Sequence, residues 1–265
     1  MNLLKHPFKG VLVASLLTAP LIVLAATPQE QGMAISVEAK ARDHGWQDMQ
    51  AEMNMTLRNK QGQESIREIR MKSLEVEGDG DKSLSVFDKP RDVKGTAFLS
   101  FSHSVGSDDQ WLYLPALKRV KRIASRNKSG PFMGSEFAYE DLSSFEIEKY
   151  SYKFIKEETC EGGQCFVVEQ YPTDKNSGYT RRIVWLDKDE YRLWKIEFYD
   201  RKNSKLKTLT YHNYQQYQAK HWRPDLMKMV NHQTGKSTDL SWHSYQFKTG
   251  LSDSDFNKNS LKRAR

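Results

Sequence analysis

The sequence predicts a mainly β protein with a few short helices, in which one antiparallel sheet curls into an incomplete barrel. Short runs of alternating apolar and polar residues recur between residues 46 and 247, and clusters of turn-forming residues separate them. No long helical pattern lies between these runs. Because about a dozen strands rarely form a flat open sheet, we expect the sheet to curve around its apolar face.

The N-terminus predicts export. Residues 1–25 have a positive start, and an apolar run extends from Val11 to Ala26. Val23 and Ala25 place small residues at positions −3 and −1 of a signal-peptidase site. A membrane anchor is the alternative, but the run is short of the roughly 20 residues that a spanning helix needs. We therefore expect residues 26–265 to be one domain located in the periplasm.

The alternating runs predict thirteen strands, beginning with the alternation of Ala51, Met53, Met55 and Leu57 with polar neighbours. The runs lie at residues 50–57, 66–76, 84–87, 97–101, 111–114, 117–123, 150–155, 166–171, 182–186, 193–199, 206–211, 226–230 and 238–247.

Three segments break the strand pattern and predict helices that plug or cover the concave side of the sheet. Residues 29–44 predict an amphipathic helix with Met33 and Val37 on its apolar side. Residues 131–146 include a short helical stretch that Ser135 could cap. Residues 252–261 predict a last short helix.

Two cysteines, Cys160 and Cys165, enclose the turn sequence EGGQ. A Gly-Gly turn between strand-like segments predicts a hairpin, whose neighbouring strands can bring two cysteines within disulfide reach. In an oxidising compartment we expect the bond to form. A redox pair is the alternative, but it favours CxxC at the start of a helix, and this spacing differs.

The sequence offers no motif for catalysis, and we expect a protein that is not an enzyme. The seven histidines form no metal-ligand pair at helical spacing, and nucleotide-binding loops and nucleophile elbows are missing. Carboxylates cluster between Glu136 and Glu148, but solvated charge that balances a nearby basic run explains them. No catalytic residue, metal or cofactor is predicted.

The basic run carries six positive charges in the eleven residues from Lys118 to Lys128. A solvated strand face is one interpretation, and a surface for lipid head groups or an acidic protein is the other. Nucleic acid is not an expected partner for an exported protein. Arginine forks suit phosphate and carboxylate, so the candidate contacts are Arg91, Arg119 and Arg122.

Methionine and aromatic side chains are spread over many of the predicted elements. An ordinary core explains such residues, but a half-barrel closed by helices can leave an apolar cavity, and methionine lines adaptable apolar surfaces. The candidate lipid-binding residues are Met53, Met55, Phe98, Phe101, Trp111, Phe132, Phe137, Trp194 and Phe198.

Three segments carry a resemblance that covers most of the chain after residue 25. Residues 87–99 (FDKPRDVKGTAFL), 111–123 (WLYLPALKRVKRI) and 130–142 (GPFMGSEFAYEDL) resemble the outer membrane lipoprotein-sorting protein family, within the LolA-like superfamily. The resemblance implies an incomplete antiparallel barrel with a helical lid over a hydrophobic cavity. It also implies a periplasmic carrier of lipoproteins or other lipids, with an RND/MMPL-type membrane transporter as its partner.

The leading hypothesis is therefore a carrier that binds acyl chains for sorting to, or transport across, the cell envelope. A non-catalytic sensor or adaptor that docks on a membrane protein is the second hypothesis, and a hydrolase of lipid or glycan is the third.

Overall fold

The computed structural model describes residues 25–161 and 163–263, so the predicted signal peptide lies outside the described residues apart from its last position. One antiparallel sheet of thirteen strands forms the body of the protein. The strands are β1 Asp48–Arg58, β2 Glu64–Leu74, β3 Lys82–Lys89, β4 Ala97–Phe101, β5 Asp109–Leu114, β6 Arg119–Ile123, β7 Tyr150–Cys160, β8 Gly163–Pro172, β9 Tyr179–Asp187, β10 Leu193–Asp200, β11 Lys205–Tyr217, β12 His221–Asn231 and β13 Ser237–Phe247.

Each strand pairs with its neighbour in sequence, except that β13 returns to pair with β1 and that β6 and β7 stay apart. Strands β6 and β7 are the two edges, so the barrel is incomplete, as the sequence predicts. The chain between them, residues 124–149, runs across the inner face of the sheet. We call it the crossing segment.

The helix α1, Pro28–Asp43, packs against the edge strand β7. Its start follows from local chemistry, because Thr27 and Glu30 form a capping box: the Glu30 amide donates to Thr27 Oγ1 at 3.2 Å, and the Thr27 amide donates to Glu30 Oε2 at 2.8 Å. The predicted bounds of this helix are confirmed to within one residue.

The predicted apolar face of α1 was wrong. Met33 and Val37 are 49% and 44% exposed, and the helix instead buries Gly32, Ile35 and Ser36. The reason is a close backbone approach: a Cβ atom on Gly32 would lie 2.7 Å from the backbone nitrogen of Phe154. Only glycine permits that contact, and hydrophobic periodicity cannot reveal it.

The crossing segment forms short 3₁₀ helices at Ser125–Asn127, Phe132–Gly134, Tyr139–Leu142 and Ile147–Lys149. Met133 and Gly134 have φ angles of 49° and 78°, which break the helical path. Ser135 does not cap a helix. Its Oγ accepts from the Phe137 amide two residues on, at 3.2 Å, as in a Ser/Thr turn.

The C-terminal segment covers the outer face of the sheet and not the concave side that the sequence predicts. It forms 3₁₀ helices at Asp253–Asp255 and Lys258–Arg263. Phe256 and Leu261 are buried there against an apolar patch of β3 and β4. The outward-facing residues of β3 and β4 are themselves apolar, which gives the tail a second surface on which to pack.

The predicted disulfide is confirmed. Cys160 and Cys165 are bonded across the β7–β8 hairpin, with their Cα atoms 5.9 Å apart. Cys165 is buried on the outer face beside Val167 and Trp185. None of the helices in the described part of the chain is long and apolar enough to cross a membrane.

Candidate ligand-binding cavity

The pairing of strands β8 to β11 arranges their inward side chains in rows across the sheet. Because paired residues point to the same face, the register fixes each row. The first row is Gln170, Arg182, Phe198 and Lys207. The second row is Val168, Val184, Ile196 and Leu209. The wall thus has a polar row beside an apolar one.

A cavity of about 1150 Å³ lies between this wall, α1 and residues 140–150 of the crossing segment. It exceeds the roughly 300–1,000 Å³ of most small-molecule sites. Its apolar and aromatic lining on the sheet includes Val184, Leu186, Leu193, Ile196, Phe198, Leu209, Tyr211 and Tyr214. A volume of this size with such a wall suits an apolar ligand.

The charged side chains around the cavity mostly neutralise one another. Lys40 of α1 pairs with the buried Glu146, and Lys149 pairs with Asp108. Lys128 Nζ lies 2.6 Å from a carboxylate oxygen of Asp174. The rim therefore adds polarity to the cavity mouth, and three further lining carboxylates, Glu140, Glu148 and Glu190, form no ion pair within the described residues.

A buried ion pair fixes the crossing segment at one end of the wall. Lys207 Nζ donates to Asp141 Oδ2 at 2.6 Å and to the Glu136 carbonyl oxygen at 2.8 Å. Tyr179 donates its hydroxyl to Asp141 Oδ1 at 2.8 Å, and burial raises the pKa of that hydroxyl well above its ordinary value. Removing one partner of such a buried pair is strongly destabilising, so this network holds the boundary of the cavity.

Arg182 stands in the polar row of the wall. Its Nε donates to Gln170 Oε1 at 2.6 Å. Its guanidinium lies 4.1 Å from the ring centroid of Tyr150 and 5.3 Å from that of Phe145. Both rings belong to the far end of the crossing segment and the start of β7, and they hold the arginine against the cavity.

One carboxyl group at the rim has an unusual pKa. Burial, together with the nearby carboxylates of Glu146 and Glu75, raises the pKa of Asp81 to about 7, although the Val76 amide and Lys40 act to lower it. Its Oδ1 accepts from the Val76 amide, at 3.3 Å. The rim therefore contains a carboxyl group that titrates near neutral pH.

Phe198 is the one residue among the predicted lipid-binding set that lines this cavity in the described part of the chain. Five others are buried in the core where the crossing segment meets the first strands of the sheet: Met53, Met55, Phe98, Phe132 and Phe137. Phe132 is central to this packing, with its ring centroid 5.1 Å from that of Phe98 and 5.9 Å from that of Phe87.

The remaining three residues of the set pack on the outer face. Phe101 and Trp111 lie edge to face at 5.3 Å beneath the C-terminal segment. Trp194 packs with Trp185 beside the disulfide, and its ring also lies edge to face with that of Tyr214 in the cavity lining, at 5.6 Å. The lipid-binding role of the whole set stays a prediction, and the geometry favours Phe198 for it.

The three candidate arginines for partner contacts are exposed. Arg119 and Arg122 lie on the edge strand β6, where positive charge also opposes pairing with other sheet edges. Arg122 Nη2 contacts Asp109 Oδ1 at 2.5 Å. Arg91 lies in the loop after β3, at the end of the sheet where β6 begins.

Sequence reasoning missed most of the cavity wall. Arg182, Val184 and Leu186 alternate along one predicted strand, and Ile196 and Leu209 lie on the next two, so period-two alternation groups them. What the pattern does not show is which inner-face residues the crossing segment covers. No cluster of three or more His, Cys, Asp or Glu side chains that could hold a metal ion occurs among residues 25–161 and 163–263.

An unclosed antiparallel sheet wrapped around an apolar cavity, with a helix along one edge, defines an incomplete-barrel fold of the LolA-like type. A family model described only as that of an uncharacterized protein matches residues 79–263. No curated protein matches the chain.

Solved structures give the family. An outer membrane lipoprotein-sorting protein domain from Vibrio parahaemolyticus, so described, is 65% identical, with a TM-score of 0.87, over 89% of this chain and 100% of that one. A DUF1329 family protein from Desulfovibrio piger is 29% identical over the same shares, with a TM-score of 0.84. A LolA superfamily protein from Nitrosomonas europaea, 20% identical over 89% and 99% of the two chains, shares the fold with a TM-score of 0.68. The chain belongs to the outer membrane lipoprotein-sorting protein family, and it shares the LolA-like fold.

Proposed function

We propose that this protein is a periplasmic carrier that holds the acyl chains of lipoproteins or other lipids in the cavity between α1 and strands β8 to β12. The cavity of about 1150 Å³ is the observation that carries the proposal. Each methylene group moved from water into it stabilises the complex by about 0.8 kcal/mol. Membership of a lipoprotein-sorting family and the apolar N-terminal sequence support the role and the compartment.

The proposed role needs a cavity that both loads and releases. The cover on one side is α1, which contributes Ser36, Ala39 and Lys40 to the lining. It contacts the sheet mainly along the edge strand β7, so a small movement of this helix would widen the cavity while the sheet stays intact. The work of such a carrier is binding and release, with no bond made or broken.

The partner remains part of the proposal. The resemblance to families that act with RND/MMPL-type transporters supports a membrane protein as the receptor, and the exposed Arg91, Arg119 and Arg122 supply a basic surface for it. Changing Arg119 and Arg122 together to glutamate reverses this charge without touching the core. The double variant should fold normally and deliver less lipid to membranes, and an unchanged transfer rate would remove this role.

The test of the carrier is to purify the exported chain from the periplasm of its host without detergent and to identify bound lipid by mass spectrometry. We expect a stoichiometric acylated species. The variant Leu209→Trp, which fills the cavity, should lose it, and Leu112→Trp, on the inner face away from the cavity, should keep it. A wild-type protein that is empty and takes up no labelled fatty acid would contradict the proposal.

A further inference from the structure

Arg182 and the exposed Lys220 are the two cations of the cavity lining that form no ion pair within the described residues, and Lys220 Nζ instead donates to the His44 carbonyl oxygen. Lys40, Lys128, Lys149 and Arg223 each form an ion pair with a carboxylate. Within the part of the chain that the structure describes, Arg182 has no such partner, and its Nε donates to Gln170 Oε1 at 2.6 Å. A cation that faces a cavity without a counter-charge is ready to receive one from a ligand.

The surroundings of Arg182 hold its guanidinium in one orientation. The buried Gln170 carboxamide oxygen accepts the hydrogen bond from Nε. The Tyr150 ring stacks on the guanidinium, with its centroid 4.1 Å from the guanidinium carbon. The two terminal nitrogens donate no hydrogen bond within the described residues. A planar pair of donors is the geometry that binds a carboxylate or a phosphate through two parallel hydrogen bonds.

The wall next to Arg182 suits an acyl chain. Val184 and Leu186 follow on the same face of β9, each about 6.6–6.8 Å further along the strand. Ile196 and Leu209 extend the apolar row across β10 and β11. An anion bound at Arg182 would therefore have apolar surface directly beside it, where a charged hydrogen bond is stronger than in water.

We propose that Arg182 binds the anionic head of an acyl-chain ligand, a carboxylate or a phosphate, while the chain lies over the Val184 row. This inference rests on the proposed carrier function and narrows its cargo to anionic amphiphiles. Gln170 and Tyr150 are positioning residues, since each acts on the ligand through the orientation of the arginine.

Three probes of equal chain length test the head group: hexadecanoate, hexadecyl phosphate and hexadecanol, each titrated into the delipidated full exported chain against a fluorescent fatty acid. A charged hydrogen-bonded head should strengthen binding about tenfold to hundredfold over the alcohol. The better of the two anions identifies the head. Arg182→Gln should bind both anions only as tightly as it binds the alcohol. Arg182→Lys keeps the charge but loses the paired donors of the guanidinium, so its affinity for the anions should be intermediate.

A matched control lies next in sequence. Arg181 points to the other face of β9, where it pairs with Glu169 at 2.8 Å, so Arg181→Gln should leave all three affinities unchanged. If the alcohol and the anions bind wild type equally, the role of Arg182 is overturned and the carrier stands. If no probe binds, both proposals fail. The comparison of the three probes on the wild-type protein tests the role of Arg182 even if Arg182→Gln does not fold.

Discussion

The two halves of the inner face both present apolar side chains, but one half is covered by protein and the other borders a cavity. Over strands β1 to β5, the crossing segment inserts Phe132 and Phe137 into the sheet, and the space is filled. Over strands β8 to β12, a cavity of about 1150 Å³ remains between the sheet and its covers. We call these regions the filled half and the hollow half. The comparison teaches that the route of one irregular segment decides which apolar face becomes a core and which becomes a site.

Polar contacts from β2 and from the end of β12 hold the crossing segment in place. Arg67 of β2 donates to the Met133 carbonyl oxygen, and Asn231 Nδ2 donates to Glu136 Oε2 at 2.6 Å. The buried Lys207–Asp141 pair then anchors it where the hollow half begins. Arg67 thus satisfies the Met133 carbonyl oxygen and Lys207 the Glu136 carbonyl oxygen, because buried backbone groups require hydrogen-bond partners.

The largest expected effect is on the stability of the filled half. Phe132→Ala removes a ring that is 2% exposed and packed on all sides, and should lower the free energy of unfolding by about 3–5 kcal/mol. Phe198→Ala removes a ring of similar burial that borders the cavity, so fewer contacts are lost and the fall should be smaller. Denaturant unfolding measures both. Equal losses would contradict the distinction between the halves.

Larger side chains should also affect the stability of the two halves differently. Leu112 in the filled half and Leu209 in the hollow half are 5% and 4% exposed. Leu112→Trp overpacks the core and should cost about 1–3 kcal/mol. Leu209→Trp can place its ring in the cavity, so it should cost less and compete with fatty acid. Thermal melts and probe displacement on the two variants check this, and full acyl binding by the Leu209 variant would count against the site.

Gly32 tests the cover of the hollow half. Gly32→Ala should stabilise an isolated helix by up to about 1 kcal/mol. In this protein the new methyl group would meet the backbone of β7 at 2.7 Å, so we expect a net loss of stability and a shifted α1. The exposed neighbour Met33→Ala is the control and should change stability by less than about 0.5 kcal/mol. A stabilised Gly32→Ala protein would mean that α1 does not pack this closely.

The last expected effect is a pH dependence at the rim. The folded protein raises the pKa of Asp81 from 3.8 to about 7, so the folded state binds the proton more tightly than the unfolded state. Its contribution to stability is present below about pH 4 and is lost as the pH rises to about 7. Asp81→Asn should flatten the pH profile of unfolding in that range. A profile identical for wild type and Asp81→Asn would refute the effect.

The sheet could be predicted from the sequence because alternation and turn residues are local signals. All thirteen predicted runs overlap strands, and the Gly-Gly turn correctly predicted the Cys160–Cys165 hairpin. The face of α1 could not be predicted, since Gly32 contributes through the absence of a side chain. The crossing segment could not be predicted either, because left-handed residues such as Met133 interrupt its periodicity.

The candidate site was less predictable than the fold for a related reason. Arg181 and Arg182 are adjacent and chemically identical, and only the strand register shows that Arg182 faces the cavity. Phe98 and Phe198 are likewise both inner-face phenylalanines, and only the path of the crossing segment buries one and leaves the other at the cavity. Sequence patterns show on which face of the sheet a residue lies. Whether that face is covered by protein or borders a cavity depends on contacts between distant segments.

The most direct test of where the acyl chain binds is photo-crosslinking with a diazirine-labelled hexadecanoate, followed by peptide mapping. The hollow half predicts labels on the wall strands around Val184, Ile196 and Leu209, with competition by unlabelled fatty acid. Competable labels confined to the region of Phe98 and Phe132, or to the outer face beneath the C-terminal segment, would contradict the account.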